Sequence, residues 1–153
     1  PERQAEFYSG AVTPRDWTNA SPSWTFTAGV VISTAPDLAT YARALVGGGL
    51  LPQSVQQLRF ASIEPVDPNF PEVGYGFALA QFGPVYGHTG EMPGYNTFVA
   101  HDPVRGITIV VTSNLNAAPD GTPPAIEAAK LIIAQLYGGD DAAQLPESDG
   151  PLE

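Results

Sequence analysis

The stretch Tyr86-Gly87-His88-Thr89-Gly90-Glu91-Met92-Pro93-Gly94-Tyr95 sets one of the chain's two histidines beside a hydroxyl and a glycine. Three ways of handling a ligand meet in that tripeptide. The His88 imidazole can move a proton or attract an anionic group, the Thr89 hydroxyl can hydrogen-bond a carboxylate, and Gly90 lets a carbonyl come close to a strand. The backbone N–H of Glu91 is then free to meet a developing oxyanion. The plainer alternative is a strand-end His-Thr pair ahead of a Gly-rich turn, and on the tripeptide alone that reading is the stronger.

The elements that must hold this run follow from periodicity. Pro1 to Phe26 mixes Pro, Ser, Thr and aromatics, Trp17 and Trp24 among them, without sustained period, so residues 1–27 read as an irregular lead-in. Thr34 caps a helix, with Asp37 answering three residues on as a capping box. Leu38, Tyr41, Ala42 and Leu45 follow at helical spacing until Gly47-Gly48-Gly49 ends it. A second helix is expected from about Pro52 to Phe60, with Val55, Leu58 and Phe60 inward. Beyond the prolines at 65, 68 and 71 the period becomes two. Tyr75, Phe77 and Leu79 alternate with small residues as one strand, and Val85 to Thr89, Tyr95 to His101 and Ile107 to Thr112 give three more around an Asp102–Gly106 turn. Ile107, Ile109 and Val111 share a face with Val110 opposite, which predicts burial on both sides. Thr122 caps a last helix with Pro123 at its first position and Ile126, Ala129, Ile133 and Leu136 as its apolar stripe. The expected fold class is α+β, an antiparallel sheet of three to four strands flanked by helices, over residues 28–137.

Sixteen acidic against six basic residues leave a net charge of -10, which repels nucleic-acid phosphates and anionic lipid heads. Five of the acids fall in residues 138–153 without a Lys or Arg, so that tail reads as acidic and disordered. No run is long and apolar enough for a membrane span. With no cysteine, disulfides, thiolate nucleophiles and Cys-based zinc sites are excluded. Neither a metal nor another cofactor is expected: His101-Asp102 opens a turn for backbone reasons, and two histidines lack a third placed ligand. Ser113-Asn114 reads as a strand-end cap. Tyr95, Phe98, Trp17 and Trp24 read as core or cleft lining.

Taken together, Gly74-Tyr75-Gly76, His88-Thr89-Gly90, Gly94-Tyr95 and a strand closing in Thr112-Ser113-Asn114 resemble the C-terminal part of the penicillin-recognising serine hydrolases. The similarity is to the class C β-lactamase and D-alanyl-D-alanine carboxypeptidase branch, whose third motif is Lys-Thr-Gly or His-Thr-Gly. Trp24 with Thr27-Ala28-Gly29, and Ser33-Thr34-Ala35-x-Asp37-Leu38, are similar to the segment entering that family's helical domain. The resemblance runs from about Trp24 to Tyr137 and implies a partial β-lactamase-like fold. It implies that His88 stands at the third-motif base, that Thr89 binds a substrate carboxylate with Gly90 giving room, that the Glu91 N–H is one of two oxyanion donors, and that Tyr95 lines the substrate site. The implied reaction is acyl transfer from a peptide, β-lactam or ester through an acyl-enzyme, in a cell-envelope or secreted protein. Glu91 departs from the small residue common there, and an inward carboxylate would weaken anionic ligands.

Such chemistry needs a Ser-x-x-Lys and a Tyr-x-Asn equivalent. Neither occurs: Lys130 is the lone lysine, and no serine stands three residues before it. The chain is therefore expected to be the C-terminal portion of a longer protein, inactive alone, and to associate with its upstream half or with a copy of itself. The alternative is a binding or interaction module that keeps the fold without the nucleophile.

Overall fold

The computed structural model describes residues 3–4 and 15–138. The acidic tail beyond Gly138 and most of the lead-in before Arg15 lie outside the described residues. Two-residue strands β1 (Arg3–Gln4) and β2 (Arg15–Asp16) pair antiparallel, and a kinked 3-10 helix follows at Pro22–Ala28. Helices α1 (Ala35–Gly47) and α2 (Gln53–Ala61) precede a six-stranded antiparallel sheet. Its strands, neighbours in chain order, are β3 (Glu64–Pro65), β4 (Val73–Gly76), β5 (Leu79–Phe82), β6 (Val85–Met92), β7 (Tyr95–His101) and β8 (Thr108–Ser113). Helix α3 (Pro124–Tyr137) closes the described chain. No helix among the described residues is long and apolar enough to cross a membrane.

The class is α+β as the periodicity predicts, but the sheet has six strands instead of three to four. Part of the difference lies at Tyr75–Leu79, where the alternation predicts one strand and the chain instead turns back at Phe77–Ala78. Ala78 takes φ +52, in the left-handed region, without the Gly or Asn that announces such a turn. The buried Arg59 explains why it forms: its Nε donates to the Phe77 carbonyl at 3.0 Å and its Nη2 to the Ala78 carbonyl at 2.9 Å.

Alternation along the strands divides the core between two faces. On one, Val73, Ala80, Phe82, Val85, Phe98, Ala100 and Ile109 pack with Ala129, Ile133 and Tyr137 of α3. On the other, Leu79 packs with Leu45 and Val46 of α1, joined by Phe60, Ile63 and Tyr86. Fully buried residues such as Phe98 and Leu79 each contribute about 1.5–3 kcal/mol. Ile107 and Val111 pack on the α3 side while Val110 is half-buried on the other, so β8 is covered on both faces although it ends the sheet's strand order.

Two helices bury different residues from those their apolar spacing predicts. Val55 and Leu58 of α2 are exposed, and Gln56 and Arg59 face inward. The buried side is polar because it serves backbone: Gln56 Nε2 donates to the Leu45 carbonyl at 2.8 Å, one of the carbonyls that the end of α1 leaves without an intrahelical partner. On α3 the stripe is Ala125, Ala129, Ile133 and Tyr137, while Leu136 is exposed. At α1 the expected cap holds: Thr34 Oγ1 accepts from the Asp37 N–H at 3.3 Å and its hydroxyl donates to the Asp37 carboxylate at 2.8 Å. Tyr41 of that helix, however, lies exposed.

Candidate active site

The His-Thr-Gly run occupies a place where the sheet opens. Strand β6 pairs with β5 only through Val85, Tyr86 and Gly87, whereas it pairs with β7 from Tyr86 to Met92. From His88 onward its β5-side edge therefore has no strand partner among the described residues. The turn that Arg59 pins causes this, because it brings the chain out of β4 and starts β5 only at Leu79, so pairing with β6 stops at Gly87, short of His88. Gly87 secures the other side: a Cβ there would lie 1.9 Å from the Val99 carbonyl oxygen, so β6 lies against β7 closer than a side chain allows.

Asn96 of β7 sets the direction of the peptide after Gly90. Its side chain is fully buried, its Nδ2 donates to the Gly90 carbonyl at 3.5 Å, and its Oδ1 accepts from the Ala125 and Ile126 N–H groups at 2.9 and 3.3 Å. A trans peptide points its C=O and N–H in opposite directions, and no described peptide is cis. With the Gly90 carbonyl taken on the β7 side, the Glu91 N–H turns to the open edge. The preceding peptide is reversed, as strand alternation requires, and its Thr89 carbonyl accepts from His88 Nδ1.

Beside this edge lies a cleft of about 240 Å³ lined by Val66, Val73, Tyr75, Phe82, His88 and Thr89, with Gly74 and Ala80. His88 is exposed, and its Nε2 lies 3.0 Å from the Tyr75 hydroxyl. Thr89 is half-buried. Gly90 differs from the other glycines nearby, since a Cβ there would meet only Thr97 Cβ at 3.6 Å, an ordinary contact. Packing does not demand a glycine at that position. It does at Gly74 and Gly76, whose Cβ atoms would strike Ile63 at 2.6 Å and Ser62 at 2.5 Å.

His88, Thr89, Gly90 and the Glu91 N–H thus share one edge of one strand. Tyr95 stands farther up the hairpin, opposite Met92, and does not line the cleft. The Glu91 carboxylate accepts from Asn116 Nδ2 at 2.7 Å. The second histidine is used structurally: His101 Nδ1 lies 2.9 Å from the Thr108 hydroxyl. Asp102 accepts from Tyr137, Val104 and Arg105. Ser113 exchanges hydrogen bonds with the Leu115 backbone, a strand-end cap. Of the aromatics, Phe98 is core, whereas Trp24 is 68% exposed. Trp17 packs over Gly94 at the β6–β7 turn, where φ is +82.

Residue types and spacing did not single out Asn96 or Asn116. Each acts through contacts with chain far away in sequence, and an asparagine inside a strand carries no local sign of that.

The chain folds like a longer hydrolase whose structure is solved. The D-stereospecific amidohydrolase from Streptomyces sp. superposes with a TM-score of 0.74 at 28% identity, over 91% of this chain and 39% of that one. The chain thus spans well under half the length of that relative. A model of the beta-lactamase family matches residues 1–133, and the chain belongs to that family. Its α+β architecture is accordingly of serine-hydrolase type.

Proposed function

We propose that this chain supplies the third-motif wall of a serine hydrolase of the D-alanyl-D-alanine carboxypeptidase or β-lactamase type. The observation that carries the reading is the open edge of β6, where His88, Thr89, Gly90 and the Glu91 N–H lie together beside a cleft. An extended acyl substrate lies along that edge. The Thr89 hydroxyl takes its carboxylate, the absent Gly90 side chain leaves room for it, the Glu91 N–H meets the oxyanion, and His88 moves protons. A serine hydroxyl adds to the amide, lactam or ester carbonyl, the leaving amine or alcohol departs with a proton, and water then cleaves the acyl-enzyme ester.

The serine comes from outside these 153 residues, since no Ser-x-x-Lys is present. A completing polypeptide, upstream in the same protein or in a second copy, also fits the exposed Trp24, Phe26, Val31 and Ile32, apolar groups that water covers at a cost. The amidohydrolase neighbour supports an amide at a D-configured residue as substrate class, and an envelope or secreted location follows from such a substrate. A second reading, a binding module without catalysis, is favoured by the missing Ser-x-x-Lys.

The test is intact-mass spectrometry after exposure to benzylpenicillin or to an ester of an N-acylated D-amino acid. The 153-residue chain should gain no acyl group. The protein that joins it to its completing polypeptide should gain one, on a serine outside the chain, and more slowly with Thr89→Val. Acylation of a serine inside the chain, or no acylation of the completed protein, overturns the proposal.

A further inference from the structure

The contacts of His88 extend the site to a residue on another strand. Its two ring nitrogens are both engaged: Nδ1 by the Thr89 carbonyl, and Nε2 by the Tyr75 hydroxyl at 3.0 Å, with the rings edge to face at 5.6 Å and 76°. A carbonyl oxygen only accepts, so in the neutral ring the hydrogen sits on Nδ1 and Nε2 is a bare lone pair. The Tyr75 hydroxyl must then be the donor to Nε2. In water the neutral imidazole prefers the other tautomer, with its hydrogen on Nε2, so the pair of contacts reverses the ring's ordinary preference.

We infer that Tyr75 is a positioning residue for His88: by donating to the bare Nε2 it fixes the ring beside the cleft, in the Nδ1–H form that the Thr89 carbonyl selects. The inference rests on the proposed role of His88 as the proton-moving group of the acyl-transfer site. It gives that role a direction: the neutral ring turns no N–H toward the cleft, and its basic lone pair is reached through the Tyr75 hydroxyl.

The fold holds Tyr75 for this task. It lies on β4 opposite Ala80, between Gly74 and Gly76, where the Ser62–Glu64 backbone crosses too close for a side chain. Neighbouring Phe77 is tied by its N–H to Ser62 Oγ at 2.9 Å. The phenol is carried on a short strand clamped from both ends, so its hydroxyl reaches His88 from a fixed origin.

The test needs no turnover, which separates its failure from failure of the proposed activity. Long-range proton–nitrogen NMR of the 15N-labelled chain, at a pH where both histidines are neutral, reads each ring's tautomer. His88 should show a hydrogen-bearing Nδ1 and a bare Nε2. Tyr75→Phe should keep that tautomer but move the Nε2 resonance toward that of a lone pair without a phenol hydrogen bond, and leave the signals of His101 unmoved. An Nε2–H ring in the unsubstituted chain overturns the inference without any variant, and so does a Tyr75→Phe chain whose His88 Nε2 resonance does not move.

Discussion

Asn96 caps a helix to which it does not belong. Its Oδ1 accepts from the Ala125 and Ile126 N–H groups, as an N-cap side chain would, while Pro123 at the cap position makes no such bond. The same side chain reaches the Gly90 carbonyl through Nδ2. One buried amide therefore joins the start of α3 to the peptide whose N–H faces the open edge of β6, and α3 serves the site without touching it.

The relationship separates two candidate caps. Thr122 is the cap that sequence spacing predicts, yet its hydroxyl donates to Asp120 at 2.7 Å on the surface. Asn96→Ala should lower stability by about 1–3 kcal/mol, since it leaves the buried Ala125 N–H and the half-buried Ile126 N–H without their acceptor. Thr122→Ala should stay within about 0.5 kcal/mol. Urea unfolding of the two variants decides between them, and equal effects would refute the assignment of the cap to Asn96.

Gly87 and Gly90, three residues apart on one strand, should respond oppositely to alanine. At Gly87 the new methyl has no space against the Val99 carbonyl, and a loss of roughly 3 kcal/mol or more is expected. At Gly90 the methyl fits, and relief of glycine's entropy makes the change neutral or stabilising by up to about 1 kcal/mol. Acylation of the completed protein should nevertheless fall with Gly90→Ala. Thermal unfolding and acylation rate, measured together, check both halves.

What the sequence made legible is what repeats locally. The Thr34 cap, the Gly47–Gly49 stop, the Asp102–Gly106 turn and the β7 strand all carry their signal within a few residues, and the structure has them. Phe77–Ala78 was hidden because a left-handed alanine is held by Arg59, nineteen residues earlier, and no pattern of two links those positions. The inward side of α2 was misread for a related reason: Gln56 and Arg59 are buried to satisfy carbonyls, which apolar spacing does not record. At the site, the His88–Gly90 run was visible as residue types, whereas the edge that exposes it depends on where β5 ends.

A second consequence concerns pH. Burial pushes the Asp102 carboxyl up, but hydrogen bonds from Tyr137 and from the Arg105 and Val104 amides, with the Arg105 charge, outweigh it and hold it below the usual 3.8. Its stabilisation is present above that value and is lost as pH falls through the lowered one. Tyr137 shifts the other way, pushed up to about 12 from 10.0 by burial and by its bond to Asp102. That contribution is complete below pH 10 and is lost as pH rises toward 12. Urea midpoints of Tyr137→Phe should lack the alkaline fall and show a smaller acid fall than the unsubstituted chain, because the Asp102 carboxyl is then held less far below 3.8.

Arg59 should not be replaceable by lysine. Its planar fork spans two adjacent carbonyls, and a single ammonium cannot match both directions. Arg59→Ala and Arg59→Lys should each cost about 1.5–3 kcal/mol, with proteolysis newly directed to Phe77–Ala78. Full stability in the lysine variant would show that charge alone suffices there.

The most direct test of the account is where a substrate-like peptide lands. Titrating the labelled chain with an N-acylated D-alanyl-D-alanine peptide should move the backbone amide signals of Thr89, Gly90, Glu91 and Met92, with Glu91 moving most. Thr89→Val should weaken the response to the carboxylate form more than to the C-terminal amide. Shifts confined to any other surface, or none along β6 at millimolar peptide, would contradict the assignment of this edge as the substrate wall.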